Sequence, residues 1–311
     1  MGCHSEGGTT EESTCRVSSL TQRNNALSHL VESPPNIPLT RLIQTTTMHT
    51  SNLNSTSTNN ASLVTAAHRE QFERDGYFIL EDVVPAQHLE ILRSEVASAM
   101  ARIDEQMEAK GVERLGLNSK NSRYFVSVLR DEPNNPVAEF VFSPLMADVC
   151  RATLGDNAFL FFEQYVVKAA ERGESFSWHQ DSGYVGYAHR PYLTCWVTLD
   201  DVNEENGTVS ILPYDRAGTR DWTPHTNHDS NNDLVGYHGD DPGIPVIAPA
   251  GSIAVFSSTV FHRSGANNTD KMRRIYLPQY SAEPILKPDG SGLWSMAVPF
   301  VVDGEQVNFG A

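Results

Sequence analysis

The second half of the chain is a succession of short apolar runs cut at close intervals by Gly, Pro, Asn and Asp. They are AFLFFEQYVVKAA from Ala158, YLTCWVTLDDV from Tyr192, GTVSILP from Gly207, IPVIAPAGSIAVFSS from Ile244, RRIYLPQYS from Arg273 and MAVPFVV from Met296. Branched and aromatic residues suit a pleated, half-buried surface. Strands of this length and spacing build a sandwich, barrel or jelly roll rather than a helical bundle. Residues 214–243, rich in His, Asn, Asp and Gly, interrupt the pattern and read as a long loop, of a length that is usually either functional or disordered, and a candidate substrate-facing element.

The part before residue 158 reads differently. AAHREQFERDG predicts a short helix stopped by Gly76, followed by a strand over YFILEDVV. Pro85 then opens a longer helix whose Leu89, Leu92, Val96, Met100 and Ile103 recur at threes and fours. Ser143 caps a third helix, with Pro144 in its first turn and Gly155 after its end. The expectation is therefore a single mainly β domain with flanking helices over 65–311. Residues 1–64 are dominated by Ser, Thr, Asn and Gly and cannot bury enough apolar area to offset chain ordering. They are expected to form a disordered tail rather than a targeting segment, with Met48 as an alternative start.

Composition narrows the partners. The formal charge of −16 repels phosphate backbones and anionic lipid, so neither nucleic acid nor a membrane surface is expected. No apolar run approaches the ~20 residues of a membrane-spanning helix. The four cysteines show no CxxC spacing, and no secretory pattern is read at the N-terminus. A cytoplasmic protein acting on a small molecule, as a monomer or weak homodimer, is the reading.

The chemistry centres on SFSWHQDSGY. His179 and Asp181 stand two apart in a segment that reads as extended, where side chains at i and i+2 share a face. One imidazole and one carboxylate can then converge on a metal. A second imidazole completes the set that holds ferrous iron and leaves positions open for oxygen and a co-substrate. His262, after SIAVFSSTVF, is the candidate, and the 83 residues between it and His179 leave room for several strands. His238 and Asp240 repeat the spacing in YHGDDPG, where nothing fixes a strand. His68 with Glu70 and His88 with Glu90 lie on helices, where i and i+2 diverge. Arg273 follows His262 by 11 residues; the turn SGANNTDKM is expected to return its strand beside the one leading into His262. Its guanidinium can clamp a carboxylate in two-pronged fashion, while the adjacent Arg274 points the other way. His225 and His228 are read as part of a solvated loop rather than a second metal site, and Cys195 as core. Tyr184, Tyr187 and Tyr192 are read as facing substrate.

FERDGYFILEDVV, SWHQDSGY, CWVTLDDVNEENGTVSILPYDRAG and VFHRSGANNTDKMRRIYLPQY, taken together and in this order, resemble the phytanoyl-CoA dioxygenase family of iron(II)/2-oxoglutarate oxygenases. The resemblance runs from about 68 to 281 and implies a double-stranded β-helix of jelly-roll, cupin-like type. It implies His179, Asp181 and His262 as iron ligands and Arg273 as the anchor of the far carboxylate of 2-oxoglutarate. Trp196, Ser264 and Gln164 are implied as further co-substrate residues. On their own chemistry, Trp196 also reads as packing, Ser264 as part of a turn and Gln164 as a buried hydrogen-bonding residue. The expected cofactors are Fe(II), 2-oxoglutarate and O2, and the expected reaction is hydroxylation of an unactivated C–H bond with release of succinate and CO2. A carboxylate at Asp181 argues against halogenation. The acidic composition disfavours a polyphosphate-bearing substrate and favours a small polar or amine-containing one. Two alternatives remain: a metal-dependent isomerase or hydrolase on the same barrel, and a non-catalytic binding protein.

Overall fold

Thr65 accepts a hydrogen bond from the backbone N–H of His68, and the His68 ring accepts one from the N–H of Thr65. This reciprocal box opens the helix Ala66–Asp75, and Gly76 closes it at φ 84°, a conformation glycine adopts at little steric cost. The computed structural model describes residues 62–128, 135–171, 173–227 and 233–307. The expected tail up to residue 61, Met48 included, lies outside the described residues, as does His228. Val64, which the sequence reading assigns to the tail, is buried in the core instead.

The helix Ala86–Lys110 presents Leu92, Val96, Ala99 and Met107 inward. Pro144–Thr153 is capped by Ser143, whose hydroxyl accepts from Met146 N–H. Both pack on one face of a large antiparallel sheet. Across that sheet the main strands run Tyr77–Leu80, Ile253–Ser257, Leu193–Thr198, Arg273–Ser281, Ala158–Lys168 and Arg123–Ser127. A smaller sheet orders Ile244–Pro245, Val209–Leu212, Phe261–Ser264 and Phe176–His179.

Strict alternation allocates the side chains. Leu193, Cys195, Val197, Ile253, Val255, Tyr276 and Tyr280 join the cluster under the helices. Their neighbours Trp196, Ala254, Phe256, Ile275 and Leu277 pack instead with Val209 and Ile211 of the small sheet. Burying each large apolar side chain contributes ~1.5–3 kcal/mol, and a slip by one residue would exchange the two sets. The result is the expected jelly roll.

One strand falls where the sequence reading assigns no element, and two expectations are corrected. Arg123–Ser127 is a strand, hidden in the sequence by the charged and polar residues at its ends. Residues 214–243 carry the helix Tyr214–Ala217 and a two-stranded ribbon of Thr226–Asn227 with Leu234–Val235. Finally, the turn after His262 does not return Arg273 beside the strand leading into His262. It crosses to the large sheet, where Arg273–Ser281 sits between Leu193–Thr198 and Ala158–Lys168. Asn267 fixes that crossing by donating to the carbonyls of Lys168, Ala169 and Lys271.

Candidate metal centre

His179 and His262 are register partners across the antiparallel pair of the small sheet. Their ring centroids lie 4.2 Å apart. His179 Nδ1 lies 2.8 Å from the Ser177 carbonyl and His262 Nδ1 lies 3.1 Å from the Val260 carbonyl. A carbonyl can only accept, so each Nδ1 carries the proton and each Nε2 offers its lone pair to the interior.

Asp181 reaches the same point by a route the sequence reading did not foresee. The strand ends at His179, and Asp181 adopts helical backbone angles as the cap of the short helix Ser182–Val185. The turn, not strand alternation, carries its carboxylate back. Asp181 Oδ1 lies 3.5 Å from His262 Nε2 and 3.9 Å from His179 Nε2. The three donor atoms lie within 4.8 Å of one another. Oδ2 is taken up by Thr194 Oγ1 at 2.5 Å and Gln279 Nε2 at 3.0 Å, which leaves Oδ1 turned to the imidazoles. Burial and the neighbouring His262 hold the His179 ring down to about 3, so it is neutral near pH 7. Burial pushes the Asp181 carboxyl up, but His262, His179 and Thr194 outweigh it and bring it to about 2. Two imidazoles and one carboxylate are donor chemistry that fits ferrous iron.

Arg273 lies on the inner face of the large sheet, fully buried, with its guanidinium carbon 5.6 Å from the Trp196 ring centroid. Nη2 donates to the Gly207 carbonyl at 3.2 Å, while Nε and Nη1 are buried and find no hydrogen-bond partner among the described residues. Burial pushes the group down to about 9, still a cation at neutral pH. Arg274 turns to the other face and binds Asp200 at 2.5 and 2.9 Å. Ser264 accepts from Lys168 Nζ at 2.8 Å. Gln164 is half-buried, in phase along its strand with Lys168, and makes no side-chain hydrogen bond among the described residues. The structure therefore brings Arg273, Trp196 and Ser264 into one cradle, with Gln164 beside it rather than bonded into it.

The decoys separate cleanly. His238 and Asp240 are exposed, His68 caps a helix, and His88 packs edge-on against Phe140. His225 has both nitrogens engaged, Nδ1 with the Thr223 carbonyl and Nε2 with Gln180 N–H. Of the tyrosines, Tyr184 meets His179 edge-on at 5.6 Å and Tyr187 donates to the Leu286 carbonyl. Tyr192 is buried against Phe161, which corrects its reading as a substrate-facing ring.

The residues that sequence reasoning missed are polar groups in apolar strands. Thr194, Lys168 and Gln279 are all buried and occupy positions whose phase points them inward. Gln180, between two of the candidate ligands, is also buried. Its amide donates to the Asp221 and Thr259 carbonyls and accepts from Thr223. That phase was the available signal, since a buried polar side chain requires partners.

The chain matches the profile of the phytanoyl-CoA dioxygenase family over residues 72–275. It is 25% identical over 256 residues to an ectoine dioxygenase of Bordetella bronchiseptica, covering 75% of this chain and 80% of the relative. A probable phytanoyl-CoA dioxygenase of Caenorhabditis elegans is 21% identical over 248 residues, with 74% and 79% covered. Among solved structures, EctD of S. alaskensis with 2-oxoglutarate and 5-hydroxyectoine shares the fold at a TM-score of 0.58 and 20% identity, covering 80% of this chain and 90% of that one. No helix among the described residues is long and apolar enough to cross a membrane.

Proposed function

The chain belongs to the phytanoyl-CoA dioxygenase family and is a non-haem iron, 2-oxoglutarate-dependent dioxygenase, and on that premise we propose that it hydroxylates an unactivated C–H bond of a small molecule at an iron held by His179, Asp181 and His262. The observation that carries this reading is the convergence of two Nε2 atoms and one carboxylate oxygen within 4.8 Å, each fixed from behind by a hydrogen bond. Iron bound there with 2-oxoglutarate and O2 supplies an oxidant strong enough for such a bond, with succinate and CO2 released.

The protein's own contribution is orientation and charge. The Ser177 and Val260 carbonyls hold the two imidazoles in the tautomer a metal needs. Thr194 and Gln279 hold the Asp181 carboxylate so that one oxygen is committed inward. Arg273, with two buried nitrogens that find no hydrogen-bond partner among the described residues, is the counter-charge for the far carboxylate of the co-substrate. Trp196 supports the guanidinium through its ring face. Tyr184, edge-on to His179, forms part of the wall at which substrate is received. A small polar or amine-containing substrate is the class that the acidic composition supports.

Anaerobic addition of Fe(II) and 2-oxoglutarate should produce a weak visible charge-transfer band, and admission of oxygen should yield succinate. His179→Ala and His262→Ala should lose both signals. Iron-dependent succinate formation in both variants would refute the ligand assignment.

A further inference from the structure

Gln180 stands between His179 and Asp181, and its polar groups are directed to the segment 221–225. Its backbone N–H donates to His225 Nε2 at 2.8 Å. Its side-chain oxygen accepts from Thr223 N–H at 2.9 Å, and its amide nitrogen donates to the Asp221 carbonyl at 3.0 Å. The same nitrogen donates to the Thr259 carbonyl at 2.6 Å, one residue before the carbonyl of Val260 that braces His262. One buried glutamine thus joins the turn bearing Asp181, the approach to His262 and a segment 45 residues further along the chain.

His225 is held in the form this contact needs. Its Nδ1 lies 2.7 Å from the Thr223 carbonyl, so Nδ1 carries the proton and the Nε2 lone pair is left to accept. That lone pair is already taken by Gln180, so His225 is not itself a metal ligand. The ring lies in a slot between two glycines. A Cβ on Gly183 would meet ring Cγ and Nδ1 at 2.7 Å, and one on Gly236 would press on Nε2 itself. Neither glycine has a positive φ, so what they provide is room. The Gly236 N–H donates to the Trp178 carbonyl at 2.9 Å, which fixes that wall of the slot to the strand ending in His179.

Resting on the assignment of His179 and Asp181 as iron ligands, we propose that His225 is a positioning residue for the iron centre, fixing the chain between the two ligands through the Gln180 N–H. Without the acceptor, a donor on a fully buried residue is left unpaired, which is costly. The peptide joining His179 to Gln180 must then rotate towards another partner. That rotation re-aims the His179 ring and the Asp181 carboxylate relative to each other.

The test is anaerobic Fe(II) titration of the full chain against a chromogenic chelator, followed by the charge-transfer band formed on adding 2-oxoglutarate. His225→Asn keeps a donor for the Thr223 carbonyl and loses the acceptor, whereas His225→Gln places an oxygen where Nε2 stood. The asparagine variant should weaken Fe(II) binding about 5- to 30-fold and shift the band maximum, and the glutamine variant should recover most of both. Gly236→Ala, which displaces the ring from its Nε2 side and alters no polar group, should reproduce the loss if the asparagine variant folds poorly. Urea unfolding of the metal-free proteins isolates a merely structural role. Variants that lose stability yet bind Fe(II) with native affinity and an unmoved band would make His225 only an anchor of its own segment, and the inference falls. His179→Ala tests the ligand assignment separately: native affinity there overturns that assignment. Loss there with native affinity in His225→Asn and Gly236→Ala overturns the role of His225 alone.

Discussion

Thr194 Oγ1 donates to Oδ2 of Asp181 at 2.5 Å, so the strand Leu193–Thr198 of one sheet sets the orientation of a carboxylate carried just past the end of a strand of the other. Gln279 Nε2 ties both groups together, at 3.0 Å from each. Partners behind a metal ligand fix its rotamer, and their loss typically weakens metal binding by about 10- to 100-fold. Thr194→Val should weaken Fe(II) binding in that range, measured by competition with a chromogenic chelator, while Thr194→Ser should restore most of it. Equal affinity in the valine variant would mean that Gln279 alone holds the carboxylate.

Gly207 makes a second cross-barrel contact. It sits at φ 74°, and a Cβ there would lie 2.4 Å from the Gly265 carbonyl oxygen. Its own carbonyl accepts from Arg273. Gly207→Ala should cost about 1–3 kcal/mol of stability in urea unfolding and weaken 2-oxoglutarate binding by displacing the guanidinium. Gly218→Ala is the control. Gly218 has φ 72° with nothing within 4 Å of a built Cβ, so backbone strain should appear without any effect on the co-substrate.

These contacts show which features the sequence displays and which it hides. Strand phase is legible from alternation, so Arg273 and Arg274 are read onto opposite faces, where the structure has them. The spacing of His179, Asp181 and His262 marked them as a set because few other residues combine those types next to a β-rich run. What alternation cannot express is where a strand stops. Asp181 reads as extended in the sequence because nothing in WHQDSG announces that the chain turns immediately after His179. The destination of a strand is similarly hidden, since the turn around Asn267 fits a return hairpin and a crossing to the other sheet equally well. Lys168 escaped notice for a third reason: Arg273 and Arg123 are its neighbours only after the sheet has assembled.

Cys150 and Cys195 offer a test of the core assignment that is independent of any ligand. Both are fully buried, and burial pushes both thiols well up. The thiolate is the reactive form. Neither should be alkylated by iodoacetamide in the native protein at pH 8, as read by peptide mass, and both should react once urea is added. Native labelling of Cys195 would place it outside the packed layer between sheet and helices.

The dependence of stability on pH follows from the direction in which the histidines shift. His179 is held at about 3 in the folded protein against 6.5 when free, and burial lowers His189 and His225 in the same sense. As pH falls through 6.5, the unfolded chain takes up protons that the folded chain refuses until about pH 3. The unfolded state therefore binds more protons throughout that window, and the free energy of unfolding rises with pH across it. Asp181, lowered to about 2 from 3.8, adds a loss of the same sign at still lower pH. Each group contributes at most about 1.4 kcal/mol per pH unit. The net charge of −16 acts oppositely, because acid relieves its self-repulsion, so a single curve would mix the two effects. His179→Gln separates them, since glutamine does not titrate and leaves the global charge nearly unchanged. Urea unfolding of the metal-free proteins between pH 5 and 8 should give a steeper decline towards acid for the native sequence than for the variant. Parallel curves would show that His179 protonates as readily in the fold as outside it, which a buried ring 4.2 Å from His262 should not do.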